Sequence, residues 1–373
     1  MSTTITHLIP DSTFLRFVVD SFEDVLPEGN DYFVYGSGLD LERHRLPSGV
    51  RVQAIGSQPD DLLRVERTIA NSSIFISHSM STFAAEAMIS APSSSLRVWS
   101  GWGGEYYGNA FNTTAGLLGP RTARLMRKSK DWRQLAERAY ATPWLRRLYR
   151  GAAEAADVFS APVPTDFEVF KRRFPQFRGR YHQLNYASVE STYGLPPADI
   201  AGDSILLGNS ASPENNHLET LELLAAVKGE GRKILVPLSY GDARYGDDVE
   251  AGGRELLGER FVPIREFMTL ADYSALVSQC SVVVMGHRRQ QALGNVARAI
   301  WQGAHVYLDR RNPIGEYFRS KDLPFSTLDE LRRSGLPETR RSSAEVSHDR
   351  LIASNIWGRH VVQSNIRTLI DSR

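Results

Sequence analysis

Residues 204–249 read SILLGNSASPENNHLETLELLAAVKGEGRKILVPLSYGDARYGDDV. The run Ile205-Leu206-Leu207 stops at Gly208-Asn209-Ser210, and His217–Val227 then carries apolar side chains at helical spacing. A second short apolar run, Lys233–Pro237, ends in Leu238-Ser239-Tyr240-Gly241. A buried strand, a helix and another buried strand in that order predict parallel pairing with the helix packed across the sheet. The same rhythm continues downstream. It predicts a helix over Val249–Leu257, a strand at Phe261–Ile264, a helix at Leu270–Gln279, a strand at Val282–Met285, a helix after Leu293 and a strand at His305–Leu308.

Upstream the alternation is similar. Ile5–Ile9 and Tyr32–Tyr35 read as buried strands and Phe14–Val25 as an amphipathic helix. Ser73–Ser77 and Leu96–Ser100 read as strands on either side of the helix Thr82–Ile89, and Val158–Ser160 as one more strand. Segment 181–203 holds turn residues and a Pro-Pro pair without a period, the pattern of a linker. The expected fold class is therefore α/β, with two Rossmann-like domains. One covers 1–190 and the other 204–349. Ligands of such sheets lie beyond the C-terminal ends of the strands.

Length agrees with this division, because 373 residues exceed what one core usually serves. With 42% hydrophobic and 23% charged residues the chain is neither disordered nor a disulfide scaffold. The single cysteine, Cys280, excludes an internal disulfide and a multi-cysteine metal site. Apolar runs as short as Val282–Met285 cannot cross a bilayer, and the N-terminus lacks a basic region with a cleavage site, so a cytoplasmic chain is expected.

The net charge of +1 is a cancellation. Residues 1–120 carry 7 basic and 13 acidic side chains, whereas residues 121–180 carry 15 basic and 6 acidic. The basic part interleaves arginines with Leu125, Met126, Trp132, Leu135, Tyr140, Trp144, Leu145, Leu148 and Tyr149. Segment 121–150 reads either as a solvated basic face or as a face for an anionic membrane surface, where aromatic rings sit at headgroup depth. No nucleic-acid-binding motif accompanies it, so no nucleic-acid partner is expected.

Three strand ends in the second half are polar and small: Gly208-Asn209-Ser210, Ser239-Tyr240-Gly241 and the segment GHRRQQALGN over 286–295. The first has the form of a strand-to-helix phosphate turn. In the last, Arg288 or Arg289 can meet a diphosphate with a forked guanidinium, next to Gln290, Gln291 and the helix start at Gly294-Asn295. In the first half, VWSGWGGEYYG (98–108) places one carboxylate, Glu105, among aromatic residues, a setting for a general base. His78 is a second candidate. No D-x-D triplet, cysteine cluster or H-x-x-x-H spacing occurs, so no metal site is expected. A G-x-G-x-x-G fingerprint and a G-x-S-x-G elbow are also absent.

ILLGNSASPENNHLETLELL (205–224), ILVPLSYGDARYGDDV (234–249), IREFMTLADYSALVSQCSVVVMGHRRQQALGN (264–295) and the strand before Asn312-Pro313 together resemble a known family. They are similar to the 4-acetamido-4,6-dideoxygalactose (Fuc4NAc) transferases of enterobacterial common antigen synthesis, whose donor is a dTDP-sugar and whose acceptor is lipid-linked. Arg289-Gln290-Gln291 with the nearby Gly294-Asn295 is the most specific part. Trp102-Gly103-Gly104-Glu105 aligns with a family W-G-x-D string, with Glu in place of Asp.

The resemblance implies a GT-B glycosyltransferase that inverts the anomeric carbon and requires no metal or other cofactor, with residues 350–373 as a C-terminal helix able to return to the first domain. Its donor would be a dTDP- or UDP-sugar held by the C-terminal domain, its acceptor a lipid-linked glycan held by the N-terminal domain, and its location the inner face of the cell membrane. Charge growing on the leaving diphosphate must then be met by fixed cations and donors. Arg288, the helix start near Gly294, and Asn209-Ser210 are assigned that task. Ser239, Tyr240 and Glu266 are assigned to the nucleotide or sugar, and Glu105 to the base. A GT-B-fold nucleotide-sugar epimerase and a non-catalytic nucleotide-sugar-binding protein are the alternatives.

Overall fold

The computed structural model describes residues 3–36, 39–56, 58–107, 116–128, 132–192, 199–227 and 231–373, with the side chains at 59, 128, 132–141 and 270 left aside. The chain divides into two compact units. Unit one comprises Met1–Thr113, Ala136–Ser191 and Trp357–Arg373, and unit two comprises Thr114–Leu135 and Thr192–Ile356.

Unit one is built on seven strands: β1 (Ile5–Pro10), β2 (Asn30–Tyr35), β3 (Arg51–Ile55), β4 (Ile74–His78), β5 (Leu96–Ser100), β6 (Val158–Ser160) and β7 (Arg180–Tyr181). They lie in the order β3-β2-β1-β4-β5-β6-β7, and every pairing is parallel. Side chains alternate across the sheet, so each strand feeds two cores. Leu8, Phe33, Phe75, Trp99 and Phe159 enter one. Ile5, Ile9, Val34, Ile76 and Val98 enter the other. β3 escapes the sequence reading because it is an edge strand whose RVQAI residues are mostly half exposed. The helix Pro59–Ala70 that follows it is likewise unanticipated.

The helix Arg359–Asp371 lays Val362, Ile366 and Leu369 into the second of these cores beside Leu15, Val18 and Phe22. Burial of this apolar stripe joins the end of the chain to the first unit.

Unit two has six strands: β8 (Ser204–Leu207), β9 (Ile234–Pro237), β10 (Phe261–Ile264), β11 (Cys280–Met285), β12 (His305–Leu308) and β13 (Ser326–Thr327). Their order is β10-β9-β8-β11-β12-β13, again all parallel. The chain winds outward from β8 to β10, then restarts at β11 on the other side of β8. That reversal leaves a crossover point between β8 and β11, where α/β sheets take their ligands. The helix Ala243–Leu257 begins six residues before its sequence expectation. The Asp242 carboxylate accepts from the Tyr245 N–H and caps a first turn too polar to show a period.

Residues 114–135, expected within the first domain, pack with unit two. Glu219 explains this. Its Oε1 accepts the N–H groups of Arg121 and Thr122 at 2.9 and 3.0 Å, and its Oε2 accepts the Thr122 hydroxyl at 2.6 Å. It thereby caps the helix Pro120–Lys128 from a neighbouring helix, while Leu125 and Met126 pack against the unit-two core.

Candidate active site

The strand order makes the ends of β9, β8 and β11 neighbours, so Ser239-Tyr240-Gly241, Gly208-Asn209-Ser210 and Gly286–Gln291 meet along one edge. The β8 and β9 turns are stitched together. Ala211 N–H donates to the Tyr240 carbonyl at 2.8 Å, and Asp242 N–H to the Ala211 carbonyl at 2.9 Å. Gly241 has φ +114° and runs so close to Ala211 that a β-carbon would lie 2.7 Å from its carbonyl.

Gly208 carries φ +69°, but its missing side chain is used differently from a phosphate turn. The rings and amides of His217 and Asn215 fill the space, at 2.6 and 2.8 Å from where a β-carbon would stand. The backbone N–H of Asn209 donates to Asn215 Oδ1 at 3.0 Å and is therefore committed inside the turn. What Asn209 presents is its side chain. Its Nδ2 donates to the Tyr240 hydroxyl at 3.0 Å, and its Oδ1 accepts from Gln291 Nε2 at 3.3 Å and from His287 at 3.1 Å.

The His287 tautomer follows from its partners. Asn215 Nδ2 donates to the Ser210 carbonyl at 3.1 Å, so Asn215 Oδ1 is an acceptor, and His287 Nε2 must carry the hydrogen it shares with it at 2.7 Å. His287 Nδ1 is then a buried lone pair without a partner among the described residues. Complete burial, followed by the Arg289 charge, pushes its pKa well below the usual histidine range, so the ring stays neutral.

Asn216, unforeseen from sequence, ties the region together. It sits at φ +53°, donates from Nδ2 to the carbonyls of Gly286 at 2.9 Å and Leu117 at 3.0 Å, and accepts the Gly119 N–H at 2.6 Å. The string PENNH over 213–217 was the available signal, because Asn tolerates the left-handed conformation better than other side chains.

The two arginines of GHRRQQ are placed differently. Arg288 Nε lies 3.3 Å from Asp309 Oδ2, and Arg288 Nη1 donates to the carbonyls of Leu118 at 2.6 Å and Gly116 at 3.4 Å. Arg289 donates from Nη1 to the Gln290 carbonyl at 3.0 Å and has Nη2 3.8 Å from Glu214 Oε2. The side-chain oxygens of Gln290 and Gln291 and Nε of Arg289 are buried without partners among the described residues.

The remaining candidates are less engaged. Tyr240 is 54% exposed although its hydroxyl is anchored, Ser239 is half buried, and Glu266 is exposed at the end of β10. Gly294 and Asn295 open the helix Leu293–Gln302, which has no side-chain cap, and the space beside Gly294 is open. That helix start favours negative charge.

In unit one, Glu105 is 6% exposed in the short helix Gly104–Tyr107 after β5, and its Oε1 accepts the Trp102 N–H at 2.9 Å. Burial raises the pKa values of Tyr35, Tyr106, Tyr149 and Tyr186 around it, and the Glu105 charge adds to this, after that of Asp166 at Tyr106 and against a Ser81 hydrogen bond at Tyr35. Asp166, absent from the sequence reading, accepts the hydroxyls of Tyr106 at 2.7 Å and Tyr107 at 2.6 Å.

His78 ends β4 fully buried, with Nε2 3.0 Å from His7 Nδ1, and His7 Nε2 is 3.1 Å from Asn30 Oδ1. Burial lowers the His7 pKa to about 3 and that of His78 well below the usual value, so both stay neutral. In this arrangement His78 is a core histidine with no solvent exposure.

Among the described residues no group of three or more His, Cys, Asp or Glu side chains is gathered as a metal would need. Among them, too, no helix is long and apolar enough to cross a membrane. In segment 121–150, Arg124, Arg127, Arg146, Arg147 and Arg150 are exposed, and Trp144 is 53% exposed. Leu145 and Leu148 pack on the unit-one core, and the Tyr149 hydroxyl donates to the Met80 carbonyl at 2.7 Å. The side chains of Trp132, Leu135 and Tyr140 lie outside those described.

The fold is shared with solved glycosyltransferases. Anabaena Alr3699/HepE, solved in complex with UDP and glucose, is 13% identical, with a TM-score of 0.70 over 100% of both chains. A glycosyltransferase from Rickettsia africae ESF-5 is 10% identical, with a TM-score of 0.64 over 100% of this chain and 98% of that one. Sucrose-phosphate synthase from Thermosynechococcus elongatus is 11% identical, with a TM-score of 0.61 over 97% of this chain and 94% of that one. These likenesses establish the GT-B fold class. Residues 125–356, more than half the chain, match the model of the family described as 4-alpha-L-fucosyltransferase, glycosyl transferase group 56. The chain belongs to that family and is a glycosyltransferase.

Proposed function

We propose that the protein transfers a deoxy or amino sugar from a dTDP- or UDP-sugar to a hydroxyl of a lipid-linked glycan, inverting the anomeric carbon without a metal, in bacterial surface polysaccharide synthesis. The observation that carries this reading is the collection of buried polar side chains at the ends of β8 and β11, on both sides of the crossover point. Membership of a transferase family sets aside an epimerase or a purely binding protein. HepE, which shares the fold, is a UDP and UDP-glucose binder, and that supports a nucleotide-sugar donor.

Unit two takes the donor. Asn209, Ser210 and the open helix start at Gly294-Asn295 meet the diphosphate, and Ser239, Tyr240, Gly241 and Glu266 hold the nucleotide or sugar. Sugar hydroxyls need acceptors, and the unpartnered oxygens of Gln290 and Gln291 are suited to them. Arg288 adds charge while bracing Asp309 and the carbonyls of residues 116 and 118.

Unit one takes the acceptor, with Glu105 as base. The acceptor oxygen bonds to the anomeric carbon as the bond from that carbon to the diphosphate oxygen breaks. The hydroxyl proton passes to the Glu105 carboxylate, and the electron pair leaves with the nucleoside diphosphate. Fixed donors and cations in a water-poor site stabilise that departing charge. The basic face with Trp144 holds the enzyme at the inner surface of the membrane, where a lipid-linked acceptor resides.

The deciding experiment offers dTDP-, UDP- and GDP-sugars to the purified protein with a lipid-linked glycan and follows the anomeric configuration of the product by NMR, with and without EDTA. Transfer from a dTDP- or UDP-sugar with inverted configuration, insensitive to EDTA, is expected. Retention, a metal requirement or transfer from GDP-sugars alone overturns the reading.

A further inference from the structure

We propose that Arg289, rather than its neighbour Arg288, is the cation that receives the donor's diphosphate, and that Glu214 occupies it as a placeholder counter-ion until the anion arrives. This rests on the nucleotide-sugar reading above and adds the residue, its ligand chemistry and a competition built into the site.

The two guanidiniums differ in what they have left to give. Arg288 is committed to the Asp309 carboxylate and to the carbonyls of Leu118 and Gly116. Arg289 is 9% exposed, yet among the described residues its one hydrogen bond goes to the adjacent Gln290 carbonyl. Its Nε has no partner among the described residues, and Glu214 Oε2 at 3.8 Å is beyond hydrogen-bond reach. The other claim on that carboxylate oxygen is firmer, since the Ser212 hydroxyl donates to it at 2.5 Å.

A buried arginine held this loosely is costly, and a carboxylate at that distance offsets only part of the cost. A diphosphate supplies oxygens that accept two parallel N–H bonds from a guanidinium, which a 3.8 Å contact does not. Arg289 also stands at the ligand-bearing end of β11, beside the neutral His287 and the Gln290 side-chain oxygen, which has no partner among the described residues. Glu214, reached from the β8 turn, holds the guanidinium in place but competes with the incoming anion for it.

The test compares Arg289→Gln, Arg288→Gln and Glu214→Gln by calorimetric titration with UDP, dTDP, pyrophosphate and uridine, with thermal unfolding of each variant alongside. Arg289→Gln is expected to weaken UDP, dTDP and pyrophosphate binding by roughly 10- to 100-fold, the scale of charge-assisted hydrogen bonds, and to leave uridine unchanged. Glu214→Gln is expected to strengthen binding of the three anions while lowering thermal stability, a pairing that a merely structural role does not produce. Arg288→Gln is expected to lower stability with the smaller effect on anions. Should Arg289→Gln fail to fold, Arg289→Lys keeps the charge, loses the fork and is expected to weaken the same three ligands.

Equal anion binding by Arg289→Gln and wild type, or weaker binding by Glu214→Gln, overturns the proposal. Wild-type binding of pyrophosphate through Arg289 without binding of UDP or dTDP overturns the nucleotide-sugar reading and leaves the anion site standing. Binding of none of the anions overturns both.

Discussion

Asn209 Oδ1 accepts a hydrogen bond from His287 Nε2 at 3.1 Å and so joins the ends of β8 and β11 across the crossover point of the unit-two sheet. The same amide holds Tyr240 and Gln291, so three elements are aligned by one side chain. Replacing Asn209 with Ala leaves these groups short of partners, and stability is expected to fall by about 1–3 kcal/mol, the cost of buried unsatisfied polar groups. Urea unfolding and donor titration check this, and an Asn209→Ala variant with wild-type stability and affinity contradicts it.

Glu105→Gln keeps the acceptor oxygen that binds the Trp102 N–H but cannot take a proton at neutral pH. Donor affinity is expected to stay near wild type while transfer falls by roughly 100-fold or more, the scale of general base catalysis. Near-normal turnover would remove Glu105 from the mechanism and redirect attention to Asp166.

The Glu219 cap on the helix Pro120–Lys128 makes a separate prediction. Glu219→Ala should cost about 1–2 kcal/mol, as lost caps do, with the effect concentrated in residues 116–128. Hydrogen exchange is the readout, and unaltered protection of that helix would refute the account.

Trp144 with Arg146, Arg147 and Arg150 forms the exposed basic aromatic face on the described part of the helix Trp132–Ala155. If this face meets lipid, changing the three arginines to Gln should remove roughly 1 kcal/mol each from binding to anionic vesicles, with loss greatest at low salt. Cosedimentation distinguishes this from a solvated face, for which the variant and wild type partition alike.

Four fully buried histidines titrate against folding. Burial lowers the pKa values of His7 and His217 to about 3 and those of His78 and His287 well below 6.5. Below pH 6.5 the unfolded chain therefore binds more protons than the folded one, so stability is full above that pH and is lost as pH falls toward the folded values. Unfolding midpoints should decline already between about pH 6.5 and 5, before most carboxylates protonate. A midpoint flat over that range would show that these rings are not buried neutral.

The sequence by itself determined the two α/β units, their strand-to-helix rhythm and the family, because buried parallel strands are short apolar runs whose period survives in one dimension. It also placed polar turns at the ends of β8, β9 and β11, since a strand end and its turn are local. The edge strand β3 was lost for the converse reason, because half exposure erases the apolar signal. Tertiary structure alone decided what those turns do. Nothing local distinguishes Arg288 from Arg289. The difference comes from Asp309 and Leu118 on one side and Glu214 on the other, residues brought near by the fold. Likewise Gly208 serves Asn215 and His217, the Asn209 N–H is committed within its turn, and residues 114–135 join unit two through a cap 97 positions away in sequence. Spacing along a chain reports which elements form; which charges remain available depends on the partners that folding delivers.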